Sequence, residues 1–201
     1  MKEKTKRLLP IYLSAIILGI FTVFFIFRGN FEFLVYAATL FPLMWVIAKT
    51  DRFFDYLPVA KWGFAVWMLS HMAGGSLHIG GTRLYDIIIV NLIGSPYSIL
   101  KYDQLVHVFC YFVITLFIYS IVVKMARPAK TKGDRFLIIF IAFAASMGVS
   151  ALNEIVEFIA VAFFNSTGVG DYYNNALDLV FNAIGAVIAL FFMERRNNNN
   201  K

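Results

Sequence analysis

The chain has 201 residues, 60% of them apolar and 17% aromatic, with 18 Lys+Arg against 12 Asp+Glu. A soluble domain carries about a quarter charged residues, and a chain of this length cannot bury so large an apolar surplus in one water-soluble core. Lipid must therefore solvate much of it, and the sparse charge excludes disorder and nucleic-acid binding.

Hydropathy divides the chain into six segments near the ~20 residues that a hydrocarbon core requires: 8–27, 31–47, 60–78, 102–123, 136–164 and 172–193. Each is expected to be a helix, because a backbone in lipid must satisfy its polar groups internally. The first follows Lys2, Lys4, Lys6 and Arg7 but is too long for a signal peptide and lacks its cleavage pattern, so it reads as an uncleaved span. The fifth is long enough to tilt or project. Between the third and fourth, residues 79–101 hold Gly80-Gly81, the apolar run Ile87-Ile88-Ile89-Val90 and a Gly94-Ser95-Pro96 turn. This stretch is too apolar for a free loop and is expected to fold onto the mouth of the bundle. The tail at 197–200 reads as solvated low-complexity sequence.

Basic residues set the expected orientation. With the N-terminus cytoplasmic, the inner side holds Lys2, Lys4, Lys6, Arg7, Lys49, Arg52, Lys61, Lys124, Arg127, Lys130, Lys132, Arg135, Arg195, Arg196 and Lys201. Only Arg28, Arg83 and Lys101 remain outside. The positive-inside rule then gives a multi-pass protein of the cytoplasmic membrane with both termini inside. The expected architecture is one integral membrane domain over 1–201: an all-α polytopic bundle of six transmembrane helices, N-in and C-in.

Ionisable side chains within a span cost about 2.5–3.5 kcal/mol each at a helix centre on insertion scales, so their positions carry information. The third segment has His71 and His78; the fourth has Asp103 and His107; the fifth has Asn153, Glu154 and Glu157; the sixth has Asp171, Asn174, Asn175, Asp178 and Asn182. With that orientation, all fall in the outer halves of their spans or near the midplane. At 3.6 residues per turn, His71 and His78 share a stripe, as do Asp103, His107 and Cys110. Asp171, Asn175, Asp178 and Asn182 form another, continued by Gly185, which allows close helix approach. Glu154 and Glu157 can reach a common point. The inner halves show nothing comparable, and the first two spans read as peripheral scaffold.

Imidazoles and carboxylates facing one another need protons or a divalent cation to neutralise them. The single cysteine, Cys110, permits neither an internal disulfide nor a thiolate cluster. A mixed His/carboxylate set suits Zn²⁺, Mn²⁺ or Fe²⁺. First-choice ligands are His71, His107, Glu154 and Asp178, with Glu157 and Asp103 as candidate catalytic base. His78, Asn153, Asp171, Asn175 and Asn182 are candidates for supporting or substrate-binding positions. Taken singly, Asp103 and Asp171 also suit helix N-termini, where a carboxylate caps free N–H groups, and the asparagines suit interhelical hydrogen bonds. Glu154, Glu157 and Asp178 lie too deep for capping or snorkelling. The chain has no His-Glu-x-x-His and no phosphate-binding Gly-Lys-Ser/Thr loop, which leaves no basis for a zincin protease or a nucleotide partner.

Tyr102-Asp103-Gln104-Leu105-Val106-His107 followed by Tyr111, together with Asp178-Leu179-Val180-Phe181-Asn182-Ala183-Ile184-Gly185, resembles the spaced Asp/His/Tyr and Asp/Asn/Gly signatures of VanZ-like membrane proteins. Glu154 matches the acidic residue of the intervening span. The His71 segment, Asn153-Glu154-Ile155-Val156-Glu157 and Gly170-Asp171 resemble the YjdF-like relatives more closely. The likeness covers about residues 69–190. VanZ-like proteins are associated with teicoplanin tolerance, so the resemblance implies an envelope setting without naming a reaction. Gln104 and Glu157 depart from the VanZ-like pattern, where Lys and Gln are frequent.

Three functions compete at this stage. The first is a metal-dependent membrane hydrolase or transferase acting on a lipid or lipid-linked envelope component. The second is a proton- or cation-coupled transporter using the same carboxylates. The third is a non-catalytic membrane partner whose polar cluster locks the bundle.

Overall fold

The computed structural model describes residues 2–95, 97–126, 128–129, 131–164 and 172–199. Six helices dominate it: α1 (Lys2–Arg28), α2 (Phe31–Phe54), α3 (Pro58–Ser76), α4 (Tyr102–Met125), α5 (Lys132–Phe164) and α6 (Tyr172–Asn199). Their ends follow local chemistry. Asn30 caps α2 by accepting from the Phe33 N–H at 3.2 Å, Pro58 opens α3 where a missing N–H costs nothing, and the Gln104 amide oxygen accepts from the Lys101 N–H at 3.0 Å before α4. At the start of α5, Thr131 and Asp134 exchange reciprocal hydrogen bonds of 2.8 and 3.1 Å.

Among the described residues, five helices are long and apolar enough to cross a membrane; α3 falls short of the six-span expectation. It has 19 residues and carries Lys61, Ser70, His71 and three glycines. Its polar groups are tolerated because it lies between other helices and buries Ala60, Phe64, Met68 and Met72 against them. At 1.5 Å per residue it is still about 28 Å long. Its first turn meets α2 through Lys61, which pairs with Asp51, and its later turns meet α4 through the Tyr102 hydroxyl, which donates to the Ser70 carbonyl at 3.2 Å. Outward-facing residues are apolar along α1 (Ile16, Ile20, Val23, Phe27) and α5 (Phe136, Phe140, Leu152, Ile155), as lipid contact requires.

Helix α4 is the hub, packed against α3, α5 and α6. Its closest approach is to α6: a Cβ at Gly185 would lie 2.1 Å from the Val108 carbonyl oxygen. Small residues let two backbones meet this closely.

Residues 78–101 form two antiparallel hairpins around a 3-10 turn: β1 (His78–Ile79) with β2 (Thr82–Arg83), then Leu84–Asp86, then β3 (Ile88–Ile93) with β4 (Ile99–Lys101). The expectation that this stretch folds onto the mouth holds for its middle. Tyr85 is buried, with its ring against Gly74, where a Cβ would come within 2.6 Å of it. It fails for β3, which is exposed at every residue, because a two-stranded ribbon has no third layer to cover it.

The end of the bundle opposite this segment corrects a second expectation. Asp51 and Lys61, 2% and 3% exposed, form a buried ion pair at 3.0 Å. Arg7 reaches Asp51 at 2.5 Å and Asp55 at 2.9 Å. The second segment reads from sequence as ending at 47; α2 continues to Phe54 and carries Asp51 to Lys61, which the sequence places among the inner-side charges.

Candidate functional site

The polar residues gather where α2, α3, α4, α5, α6 and the 3-10 turn meet. Glu32, Tyr36, His71, Arg83, Tyr85, Asp103, His107, Glu157, Asn174 and Asp178 line a small cavity of about 30 Å³. One water-sized sphere takes about 10–15 Å³, so the cavity holds two such bodies and no organic substrate; a substrate would have to present one group at its mouth.

His107 is the most constrained member. Its Nδ1 lies 2.9 Å from the Asn182 amide oxygen, whose amide nitrogen donates to the Ser150 hydroxyl at 2.7 Å. With the amide oxygen as acceptor, Nδ1 carries the proton, and Nε2 faces Asp103 Oδ1 at 3.6 Å and Asp178 Oδ1 at 3.9 Å. Either a proton on Nε2 or a cation between these atoms must relieve that arrangement. Metal-binding histidines use the same device, a fixed hydrogen bond on one nitrogen that orients the other.

Three carboxylates converge from α5 and α6. Ligand atoms of Glu154, Glu157 and Asp178 lie within 4.8 Å of one another, and so do those of Asp103, His107 and Asp178. Asn153 donates to Glu157 Oε1 at 2.9 Å and Asn174 to Asp178 Oδ2 at 2.7 Å. Asp178 is 1% exposed and Glu157 7%. Both Glu154 oxygens and Asp178 Oδ1 are buried and accept no hydrogen bond among the described residues.

His71 stands apart from both sets. Its ring is packed by Trp67, Phe33 and Tyr36, and its Nδ1 is engaged by the Tyr85 hydroxyl, which also lies 3.0 Å from the His71 carbonyl. Both contacts are satisfied when Nδ1–H donates to the phenol oxygen and the phenol donates to the carbonyl. Burial, then the nearby Asp103, pushes the Tyr85 phenol well above its ordinary range, so it keeps the proton this arrangement needs. His71 is thus a wall of the cavity, not a member of either cluster.

The other expected residues divide. Asp103, His107, Glu154, Glu157, Asp178, Asn153 and Asn182 are brought together. Asp103 and Glu157 sit among the would-be ligands themselves, so the expected split between ligands and base has no geometric counterpart. His78 lies on exposed β1 with its Nδ1 3.3 Å from the Ser76 carbonyl. Asn175 is outside the cavity lining; Asn174, one position earlier, is the residue four before Asp178 that meets it. Asp171 lies outside the described residues. Cys110 is a buried free thiol.

Sequence reasoning missed Tyr85, Tyr36, Glu32 and Arg83. The last two make α2 and the hairpin segment part of the site, and α2 is therefore not mere scaffold. Gly74-Gly75 within α3 was the available signal: a Cβ at Gly74 would strike Tyr85 and one at Gly75 would strike Phe33, at 1.8 Å.

Fold and pocket together define a multi-pass membrane helix bundle with a buried acid and histidine cluster toward one end. Residues 9–199 match the family model described as predicted membrane protein, DUF2238, and the chain belongs to that family. No curated protein and no solved structure matches it.

Proposed function

We propose that the cluster binds a divalent metal ion and that the protein is a metal-dependent hydrolase or transferase acting on a lipid or lipid-linked envelope component. One observation carries the reading: Asp178 Oδ1, on a side chain 1% exposed, accepts no hydrogen bond among the described residues and converges with Asp103 Oδ1 on His107 Nε2, at 3.9 and 3.6 Å, a costly arrangement unless a cation completes it. Hard oxygen donors with one oriented imidazole suit Zn²⁺, Mn²⁺ or Fe²⁺. Such an ion would supply Lewis-acid polarisation of a carbonyl or phosphoryl oxygen and a more acidic water. The chain's own residues would hold it: His107 through Nε2, with Asn182 fixing the tautomer, and Asp103 and Asp178 as carboxylate donors.

A membrane-dissolved substrate fits the setting. Glu157 is buried while Ile155 and Phe158, on other faces of the same helix, are exposed and apolar, so the helix that carries the acids also presents a face to lipid. The charge distribution supports six crossings, α3 included, with both termini cytoplasmic and the pocket facing outward. The VanZ-like and YjdF-like resemblance agrees with an envelope role.

Elemental analysis of detergent-purified protein tests this. Wild type is expected to retain metal, and His107→Ala and Asp178→Asn to lose it while remaining monodisperse. Wild-type protein that neither carries nor takes up Zn²⁺, Mn²⁺ or Fe²⁺ would overturn it.

A second reading, proton-coupled transport, draws on a line of hydroxyls leading away from the site. Asn182 meets Ser150, and one turn further along α5 the Thr115 hydroxyl donates to Ser146 at 3.0 Å. Proton flux in proteoliposomes that disappears in Asp178→Asn would favour it over hydrolysis.

A further inference from the structure

We infer that the site is built for two cations, not one, sharing the carboxylate of Asp178; this rests on the metal-binding reading above and extends it. Asp178 is the one residue common to both clusters, Asp103–His107–Asp178 and Glu154–Glu157–Asp178. Helix α4 supplies the ligands of one position, α5 those of the other, and α6 places the bridging carboxylate between them.

The distances suit this. Two donors on one ion, each at up to about 2.2 Å, are separated by at most about 4.4 Å. Each cluster, already within 4.8 Å, closes onto an ion with a shift of a few tenths of an ångström. A single ion serving both would take five side chains from three helices as ligands, leaving at most one position for water or substrate. A bridging carboxylate instead holds two ions about 3.5–4 Å apart, the spacing of two-metal hydrolytic centres.

Charge points the same way. Asp103, Glu154, Glu157 and Asp178 bring four carboxylates around one imidazole whose Nδ1 proton is spent on Asn182. Glu32 and Arg83 add one charge of each sign to the same lining, so with the four carboxylates ionised one divalent ion leaves half of their charge uncompensated and two neutralise it. Glu154, whose oxygens lack any donor, lies in the second cluster, one turn deeper along α5 than Glu157. An ion at the first position alone would leave those oxygens as they are. Asp178 Oδ1, the other partnerless oxygen, belongs to a side chain that is 1% exposed.

The test uses the full-length protein in detergent, stripped with chelator and titrated with Mn²⁺ alone. Wild type is expected to bind two Mn²⁺ per chain and to give the electron paramagnetic resonance spectrum of an exchange-coupled pair. Asp103→Asn and Glu154→Gln are each expected to bind a single, uncoupled ion. Should Glu154→Gln fail to stay monodisperse, Glu157→Gln takes its place. One uncoupled ion per wild-type chain overturns the pair and leaves the single-metal function standing; no bound ion overturns both.

Discussion

Gly185→Ala is the sharpest probe of how the bundle sets the site. The added methyl carbon would lie 2.1 Å from the Val108 carbonyl oxygen and 3.0 Å from the Phe112 nitrogen, both backbone atoms of α4 that cannot rotate away. Relief requires α6 to retreat by about 1 Å to restore ordinary contact, and overpacking of this kind costs about 1–3 kcal/mol. Position 185 is one turn from Asn182 and two from Asp178, so the retreat pulls both away from His107 and Asp103. Disturbing the partners of metal ligands costs about 10–100-fold in affinity. Gly148→Ala is the internal control: nothing lies within 4 Å of its Cβ, so only the helix-propensity gain of about 1 kcal/mol remains. Thermal unfolding in detergent, at about 2–4 °C per kcal/mol for a chain of this size, and Mn²⁺ titration read the two effects. Gly185→Ala with the melting temperature and metal affinity of wild type would refute the close-approach reasoning.

Lys61→Met removes one of the two cations on Asp51 and, with Arg7 still paired to it, is expected to destabilise by less than the about 3–5 kcal/mol of a fully stranded buried charge; denaturation of wild type and variant checks this. Asn182→Leu frees His107 Nδ1 and should weaken Mn²⁺ binding about 10–100-fold with the helices intact by circular dichroism. Tyr85→Phe keeps the ring against Gly74 but removes the hydroxyl that meets His71, a loss of about 1 kcal/mol in unfolding free energy. Since His71 lies outside both clusters, the Mn²⁺ stoichiometry of that variant should equal that of wild type.

Helix periodicity made the essential grouping legible. Asp103 and His107, Glu154 and Glu157, and Asp178 and Asn182 are each one turn apart, and a carboxylate deep in an apolar segment has few structural excuses. Gly185, on the same stripe, marked a close helix approach without naming the partner; the structure shows it to be α4, which brings the first and last of these pairs together. What periodicity does not carry is the identity of partners across helices. Tyr85 enters from a loop, where no repeat exists, and His71 satisfies itself on Tyr85 instead of joining the acids. Asn174 and Asn175 differ by 100° of helix rotation, and only their neighbours' positions decide which one meets Asp178. At the other end, hydropathy cannot place a charged pair that neutralises itself, so the second segment reads as ending at 47, short of Asp51, while α2 runs to Phe54.

That charged pair has a bearing on biogenesis. Arg7, Asp51 and Lys61 all belong to the first third of the chain, one on each of the first three helices. None of the three could settle in hydrocarbon singly, yet together they are complete before α4 has left the ribosome. The contacts that tie α1, α2 and α3 together at this end are therefore made between residues 7 and 61, and none of them draws on α4, α5 or α6.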